Sequence, residues 1–365
     1  MTEPGATAAV TSISTALSPS AAATLDPGFA LQTGGLADGP LFGLPLTELW
    51  YGLVFFILGT FLFLDGFDFG VGAIFVTRSE ESAREQLLAA IGPFWDGNEV
   101  WLVVFGGALF AAFPAVYANL FSRHYLLMFA ILGALIVRGL APEMYEQRHD
   151  ETWQRWWGRA FVVGSVAAPL LLGIFAGNWL LGSTALVSLP SLVVGVALVA
   201  LSTAGGAAFL GLKTRGRLQQ ETAAYGPKAL VAYLALVVVA VGYLFATRPD
   251  LRGDLLSPVA LGLVGASVVL GAGYVVAMRR ESYVGALAAT AGLTYGLVAL
   301  VAALLYPVID PVAGLTVADA IVSTLPLNLM SIGAALLLPL IFAYFVVLYA
   351  AFWGPVEEGE GYAGE

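Results

Sequence analysis

Apolar positions along this chain run in long blocks instead of recurring at short intervals. Nine such blocks lie at roughly 47–76, 97–118, 122–143, 159–182, 187–212, 228–247, 257–278, 284–306 and 326–353. Each is long enough to cross a hydrocarbon layer of about 30 Å as a helix of about 20 residues. In lipid the backbone must satisfy its own hydrogen bonds, so unbroken apolar blocks of this length predict helices. The expected fold is an all-α polytopic membrane protein with about nine transmembrane helices over 46–353. It divides into segments 1–4 (47–182), segments 5–8 (187–306) and segment 9 (326–353). The flanks read differently. Residues 1–45 are rich in Ala, Thr, Ser, Gly and Pro and contain no Lys or Arg, which predicts a disordered extension. They lack the positive start and continuous apolar core of a secretory signal. Residues 354–365, with Glu357, Glu358, Glu360 and Glu365, read as an acidic tail.

Composition agrees with the block pattern. The 365 residues are 59% hydrophobic and 11% charged, where a soluble domain carries roughly 25% charged residues. There is no cysteine, so disulfides, thiolate metal sites and cysteine nucleophiles are excluded. The two histidines, His124 and His149, lie outside the deep apolar runs, which limits haem or metal ligation by this chain. His124 follows Arg123 at a segment boundary and reads as a surface or interfacial residue. No phosphate loop, dinucleotide fingerprint or HExxH motif occurs, and no nucleic-acid partner is expected.

The basic residues set an orientation. The side holding the N-terminus has only Arg123, Arg248 and Arg252. The opposite side has twelve: Arg78, Arg84, Arg138, Arg148, Arg155, Arg159, Lys213, Arg215, Arg217, Lys228, Arg279 and Arg280. By the positive-inside rule the N-terminus is outside and the C-terminal tail cytoplasmic. Trp153, Trp156 and Trp157 then read as an aromatic belt at the cytoplasmic interface.

Against this background three carboxylates stand out. Asp65 and Asp68 lie in L-D-G-F-D-F-G-V-G (Leu64–Gly72), and Asp96 in P-F-W-D-G-N-E-V-W (Pro93–Trp101). A carboxylate near the centre of a membrane helix costs about 2.5–3.5 kcal/mol on insertion scales, so it normally has a partner or a job. Asp65 and Asp68 are spaced i, i+3 and share one helix face near the cytoplasmic end of segment 1. Asp96 stands at the cytoplasmic entrance of segment 2. Arg138 sits near the same boundary on segment 3 and is the natural counter-charge, with Glu99 and Glu143 as possible further members. Trp95 and Trp101 bracket the entrance as interfacial anchors or packing partners. Gly66 and Gly70, Gly106–Ala108, Gly205–Gly206 and Gly271–Gly273 offer small surfaces for close helix approach. Pro114 is expected to kink segment 2. Three readings of the acids remain open. They form a proton entry relay, or they couple a proton or cation in a secondary transporter, or they are a purely structural ion cluster.

These motifs resemble subunit II of the cytochrome bd quinol oxidases. The resemblance rests on Asp65–Gly72, on Pro93–Leu102, and on G-G-A-L-F-A-A-F-P-A-V-Y-A (Gly106–Ala118). It extends to Arg138, to F-A-G-N (Phe175–Asn178), to L-T-V-A-D-A (Leu315–Ala320) and to T-L-P-L-N-L-M (Thr324–Met330). It covers residues 46–353, is most specific in the first half, and leaves the N-terminal extension outside the family pattern. It implies two four-helix bundles plus one peripheral helix in a cell-membrane heterodimer. The partner, subunit I, would carry the quinol site, the b haems and the haem d-type centre where oxygen is reduced to water. This chain would hold no haem, no metal and no catalytic residue of its own, and some family members hold a structural quinone. Asp65, Asp68, Asp96 and Arg138 fall where the family places a cytoplasmic proton path at the subunit interface. Glu99, Trp95 and Trp101 would stand behind them.

Overall fold

The computed structural model describes residues 35–356. Its long helices, numbered in chain order, are α1 (Leu46–Phe75), α2 (Glu81–Ile91), α3 (Trp95–Ala112), α4 (Pro114–Arg123), α5 (Tyr125–Glu146) and α6 (Glu151–Leu181). They continue with α7 (Leu189–Lys213), α8 (Gly216–Ala223), α9 (Tyr225–Thr247), α10 (Pro258–Arg279), α11 (Tyr283–Leu305) and α12 (Thr324–Ala351). Eight stretches among the described residues are long and apolar enough to cross a membrane, with α8 and α9 forming one of them. The remaining predicted segment, 97–118, is present in two pieces. Its first turn carries Asp96, Asn98 and Glu99, and the helix breaks at Phe113 (φ −132°, ψ 61°) before Pro114 restarts it as α4. Proline has no N–H to close the preceding turn and its φ suits a first helical position, so the break falls at its N-terminal side. The carbonyl of Ala112 at the break accepts instead from the Val322 amide at 3.0 Å.

Local chemistry sets the other ends. Asp150 caps α6 by accepting from the Trp153 amide, and Ser188 and Ser191 cap α7 reciprocally. Gly182 ends α6 in the left-handed conformation, which costs glycine nothing. The amphipathic α2 lies between spans and the short, polar α8 leads directly into α9, so both escape the block pattern.

The spans pack as two four-helix units with α12 beside them. The first unit is α1, α3–α4, α5 and α6, with a core that includes Phe61, Phe69, Trp101, Leu109, Ile131 and Leu172. The second is α7, α9, α10 and α11, cored by residues such as Ala204, Leu230, Tyr233, Tyr274, Ala286 and Leu293. Helices α1 and α7 join them. There the backbone of Gly70 lies against Ser202 and Gly206 so closely that no side chain fits between. Helix α12 buries only Leu327 and Asn328, and it rests on α1 and α3 through Phe342 and Phe345 against Trp101. It is the expected peripheral helix.

Several sequence-based expectations need correction. Of the extension expected to lack structure over 1–45, residues 35–45 carry defined contacts. The buried Asn328 side chain donates to the carbonyls of Leu36 and Gly39 and accepts from the Leu41 amide. Residues 1–34, and the acids at 357–365, lie outside the described residues. Lys213, counted among the loop cations, is buried. Its Nζ donates to the carbonyls of Phe352 and Gly354, at 2.8 Å each, and thereby caps α12. His124 is buried as well, its ring nitrogens each 3.1 Å from a backbone carbonyl, Leu120 O and Ser183 O. Among the described residues Gly106, Gly107 and Gly273 meet no neighbour, whereas Gly206 and Gly271 do.

The connection between α11 and α12 holds a small antiparallel hairpin of β1 (Val308–Asp310) and β2 (Leu315–Thr316). Asp310 at its centre is fully buried. It accepts from Arg123 at 3.0 and 3.3 Å, from Asn119 at 3.1 Å, and from the amides of Val312 and Ala313. Burial alone would raise its carboxyl, but the hydrogen bonds from Arg123, Ala313 and Asn119 hold it below the usual carboxylate range. The folded state thus binds this proton less tightly than the unfolded chain. The stabilisation is fully present above the unfolded value near 3.9 and is lost as pH falls through the depressed folded value. Asp310→Asn is expected to lower stability by roughly 1–2 kcal/mol at pH 7, with the difference shrinking toward pH 3. Thermal unfolding in detergent from pH 7 to pH 3 checks this, and a pH-independent difference would contradict it.

A buried acid–arginine cluster as the candidate functional site

Three helices bring the predicted residues together. Asp65 and Asp68 face the middle of the first helical unit from α1. Asp68 lies seven residues before the C-terminal end of that helix, about 10 Å along its axis. Arg138 reaches them from α5. Its own backbone can come close because Gly164 of α6 lies against it, where a Cβ would stand 2.6 Å from the Arg138 amide nitrogen. One turn on, Pro142 lacks the N–H that would have bonded the Arg138 carbonyl.

The guanidinium is 1% exposed and contacts three acids. Its Nη2 lies 2.9 Å from Asp65 Oδ1 and 3.5 Å from Asp68 Oδ2, and its Nη1 donates to Glu99 Oε2 at 3.1 Å. The rings of Phe69 and Trp95 each lie 5.3 Å from its carbon centre, so aromatic surface replaces water around the cation. Asp65 and Asp68 are fully buried. Asn98, also fully buried, donates from Nδ2 to Asp68 Oδ2 at 2.8 Å and accepts at Oδ1 from the Tyr349 hydroxyl of α12 at 2.9 Å.

The acids differ in access. Glu99 is 30% exposed and lines a cleft of about 300 Å³ with Asp96, Trp95, Val100 and Gly139. Asp96 is exposed one turn earlier on the same helix, so it stands at the mouth of the cluster and not inside it. Glu143 is exposed too. Trp101 packs on Phe342 and Phe345 behind the cluster, while Trp95 stacks on the arginine itself. Asn98 and Tyr349 were not anticipated. Asn98 is one more polar residue in the conspicuous first turn of α3 and was legible there. Tyr349 pairs across 251 positions and nothing local marks it.

Three acids around one cation in a low-dielectric site leave an excess of negative charge if all ionise. Holding and passing a proton is therefore chemistry this set can perform. No group of three or more His, Cys, Asp or Glu among the described residues is arranged for a metal ion, His124 faces two carbonyls, and His149 is exposed. The apolar slot between α6, α7, α9 and α11, near Gly177, Leu244 and Leu300, offers about 60 Å³ and no polar side chain. Small-molecule sites typically run to about 300–1,000 Å³.

Residues 46–352 match the family model of cytochrome bd terminal oxidase subunit II. The chain is 31% identical over 333 residues to the cytochrome bd ubiquinol oxidase subunit 2 of Bacillus subtilis (strain 168), covering 86% of this chain and 98% of the relative. It is 29% identical over 364 residues to the cytochrome bd-I ubiquinol oxidase subunit 2 of Escherichia coli (strain K12), covering 86% and 96%. Its fold is similar to a chain of the bd oxidase from Geobacillus thermodenitrificans, with a TM-score of 0.66 at 18% identity, covering 84% of this chain and 98% of that one.

Proposed function

Since this chain belongs to the cytochrome bd terminal oxidase subunit II family, and is thereby a membrane-embedded subunit of a quinol-oxidising terminal oxidase, we propose that its acid–arginine cluster feeds protons toward the redox centres of a haem-bearing subunit I. The observation that carries the reading is a gradient of access around one arginine. Asp96 is exposed, Glu99 is 30% exposed, and Asp65 and Asp68 are fully buried. A proton taken up at Asp96 passes to Glu99 one turn away, and from there to the carboxylates that share Arg138. The arginine keeps the acids close without letting all of them stay neutral.

The excess of Lys and Arg on the side of this mouth supports a cytoplasmic entry, with the N-terminus outside and the tail inside. The cleft opens beside apolar side chains of α3 and α5, among them Val103, Leu132 and Ile136, all more than half exposed. A face of that character suits a second membrane subunit or lipid. The haems, and the quinol oxidised on the outer side, belong to the partner in this reading. This chain supplies proton access and part of the assembly surface.

Glu99→Gln tests the path. In the purified two-subunit complex, quinol-driven oxygen consumption is expected to fall about 100-fold while the haem spectrum is unchanged. Full turnover would remove Glu99 from the path. Lost haem together with lost turnover would make the cluster a structural scaffold.

A further inference from the structure

We propose that Tyr349, on the peripheral helix α12, is a positioning residue that sets which protonation state of Asp68 the cluster favours, by locking the carboxamide of Asn98. The proposal rests on the proton-path reading above. Asn98 is fully buried, so each end of its amide needs a partner. Its Nδ2 lies 2.8 Å from Asp68 Oδ2 and 3.3 Å from the Leu64 carbonyl. A carbonyl oxygen can only accept, so the NH2 group must be the end that faces α1. The other end, Oδ1, is then fixed by the Tyr349 hydroxyl at 2.9 Å.

This arrangement has a chemical sense. An N–H aimed at Asp68 stabilises the carboxylate, whereas an oxygen aimed at it would stabilise the protonated acid. With the tyrosine hydroxyl present the carboxamide shows Asp68 its donor. Without it the 3.3 Å contact to the Leu64 carbonyl is the remaining hold on the amide's orientation, and a turned amide would let Oδ1 accept from a protonated Asp68. The groups that face Asp68 are Asp65 on its own helix, Arg138 on α5, Glu99 and Asn98 on α3, and Tyr349 through Asn98 on α12. Only the last of these links α12 to the charge. The ring of Tyr349 packs separately, with centroids 4.6 Å from Phe94 and 6.3 Å from Phe345, so removing the hydroxyl spares the packing. Lys213, which caps α12 a few residues later, holds the helix end in register with this contact.

The test uses the purified complex and the pH profile of quinol-driven oxygen consumption. Tyr349→Phe is expected to move the limb that reports proton occupancy of Asp68 to higher pH by about half to one unit, with the haem spectrum unchanged. Tyr344→Phe, on the same helix but 57% exposed, is expected to leave it in place. Asn98→Leu removes the donor and is expected to shift the limb the same way. Adding Tyr349→Phe to Asn98→Leu is then expected to do nothing more, because the hydroxyl acts through the amide. Asp68→Asn separates the two levels of inference. If that limb survives Asp68→Asn, the proton-path reading fails. If Asp68→Asn removes it but Tyr349→Phe leaves it unmoved, or if the two shifts add, only the positioning role fails. Loss of haem-loaded complex on removing one hydroxyl would also overturn the proposal, in favour of a structural contact.

Discussion

Arg138→Met is expected to leave little assembled complex, and in the fraction that assembles oxygen consumption should fall by about 100-fold or more. Methionine keeps the bulk and the unbranched stem, so the cavity left is small. What goes is the cation that faces Asp65, Asp68 and Glu99. Removing one partner of a buried ion pair costs about 3–5 kcal/mol, because the other charge is left without compensation. Here three carboxylates lose the same partner, and two of them are fully buried. The protein is expected to respond by taking up protons on these acids, which stops them from releasing protons at neutral pH. Arg138→Lys should fall between the extremes. A lysine carries the charge but presents one ammonium where the guanidinium uses two nitrogens for three acids. The double variant Arg138→Met with Asp65→Asn should regain stability relative to Arg138→Met, since it removes one uncompensated charge. Haem content per complex and thermal stability in detergent measure assembly, and oxygen consumption measures the path. A fully loaded, fully active Arg138→Met complex would show that the arginine balances nothing the enzyme needs.

How much of this site could be read from the chain depends on how local each contact is. The spans were legible because a lipid environment permits few backbone solutions, and most helix ends fell within a few residues of the apolar blocks, while α6 begins at Glu151, eight residues before its block. Asp65, Asp68 and Arg138 were legible for the same reason, since a charge in an apolar block is conspicuous. Their grouping followed from a count of cations by side, not from geometry. The role of Glu99 as a direct partner of Arg138 was harder to see, because it sits in a polar turn with Asp96 and Asn98, and only helical phase separates the inward residue from the outward one. Tyr349 was invisible, being an ordinary aromatic residue on an apolar helix. Asp310 and Arg123 illustrate the same limit at the opposite end of the bundle. Arg123 reads as a boundary charge and Asp310 falls between two blocks, yet a hairpin too short to show in the pattern buries one on the other. The glycines split in an instructive way. Gly66 and Gly70 look equivalent as a small-xxx-small pair, and the structure makes them unequal.

Gly70→Ala is accordingly expected to be severe while Gly66→Ala is tolerated. A Cβ on Gly70 would stand 1.9 Å from the Ser202 carbonyl oxygen and 2.8 Å from the Gly206 nitrogen, both backbone atoms of α7 that cannot rotate away. A Cβ on Gly66, one turn earlier on the same helix, meets only the Ser202 hydroxyl at 3.6 Å. Ordinary contact begins near 3.4 Å, so α1 and α7 would have to part by about 1.5 Å to admit one methyl group at Gly70. Overpacking of this kind typically costs about 1–3 kcal/mol, and this contact joins the two helical units. The consequence reaches the site. Asp65 and Asp68 ride on α1 within two turns of Gly70, and the Arg138–Asp65 contact of 2.9 Å does not survive a displacement of that size unaltered. Gly70→Ala is therefore expected to lower thermal stability and also to reduce turnover in the molecules that assemble, without removing any polar group. Gly106→Ala is the matched control within this chain, because among the described residues nothing lies within 4 Å of a Cβ at its position. Equal stability of the Gly66→Ala and Gly70→Ala complexes would mean that the α1–α7 seam is looser than its backbone contacts require. A turnover loss confined to Gly70→Ala would tie the geometry of the acids to the packing of the seam.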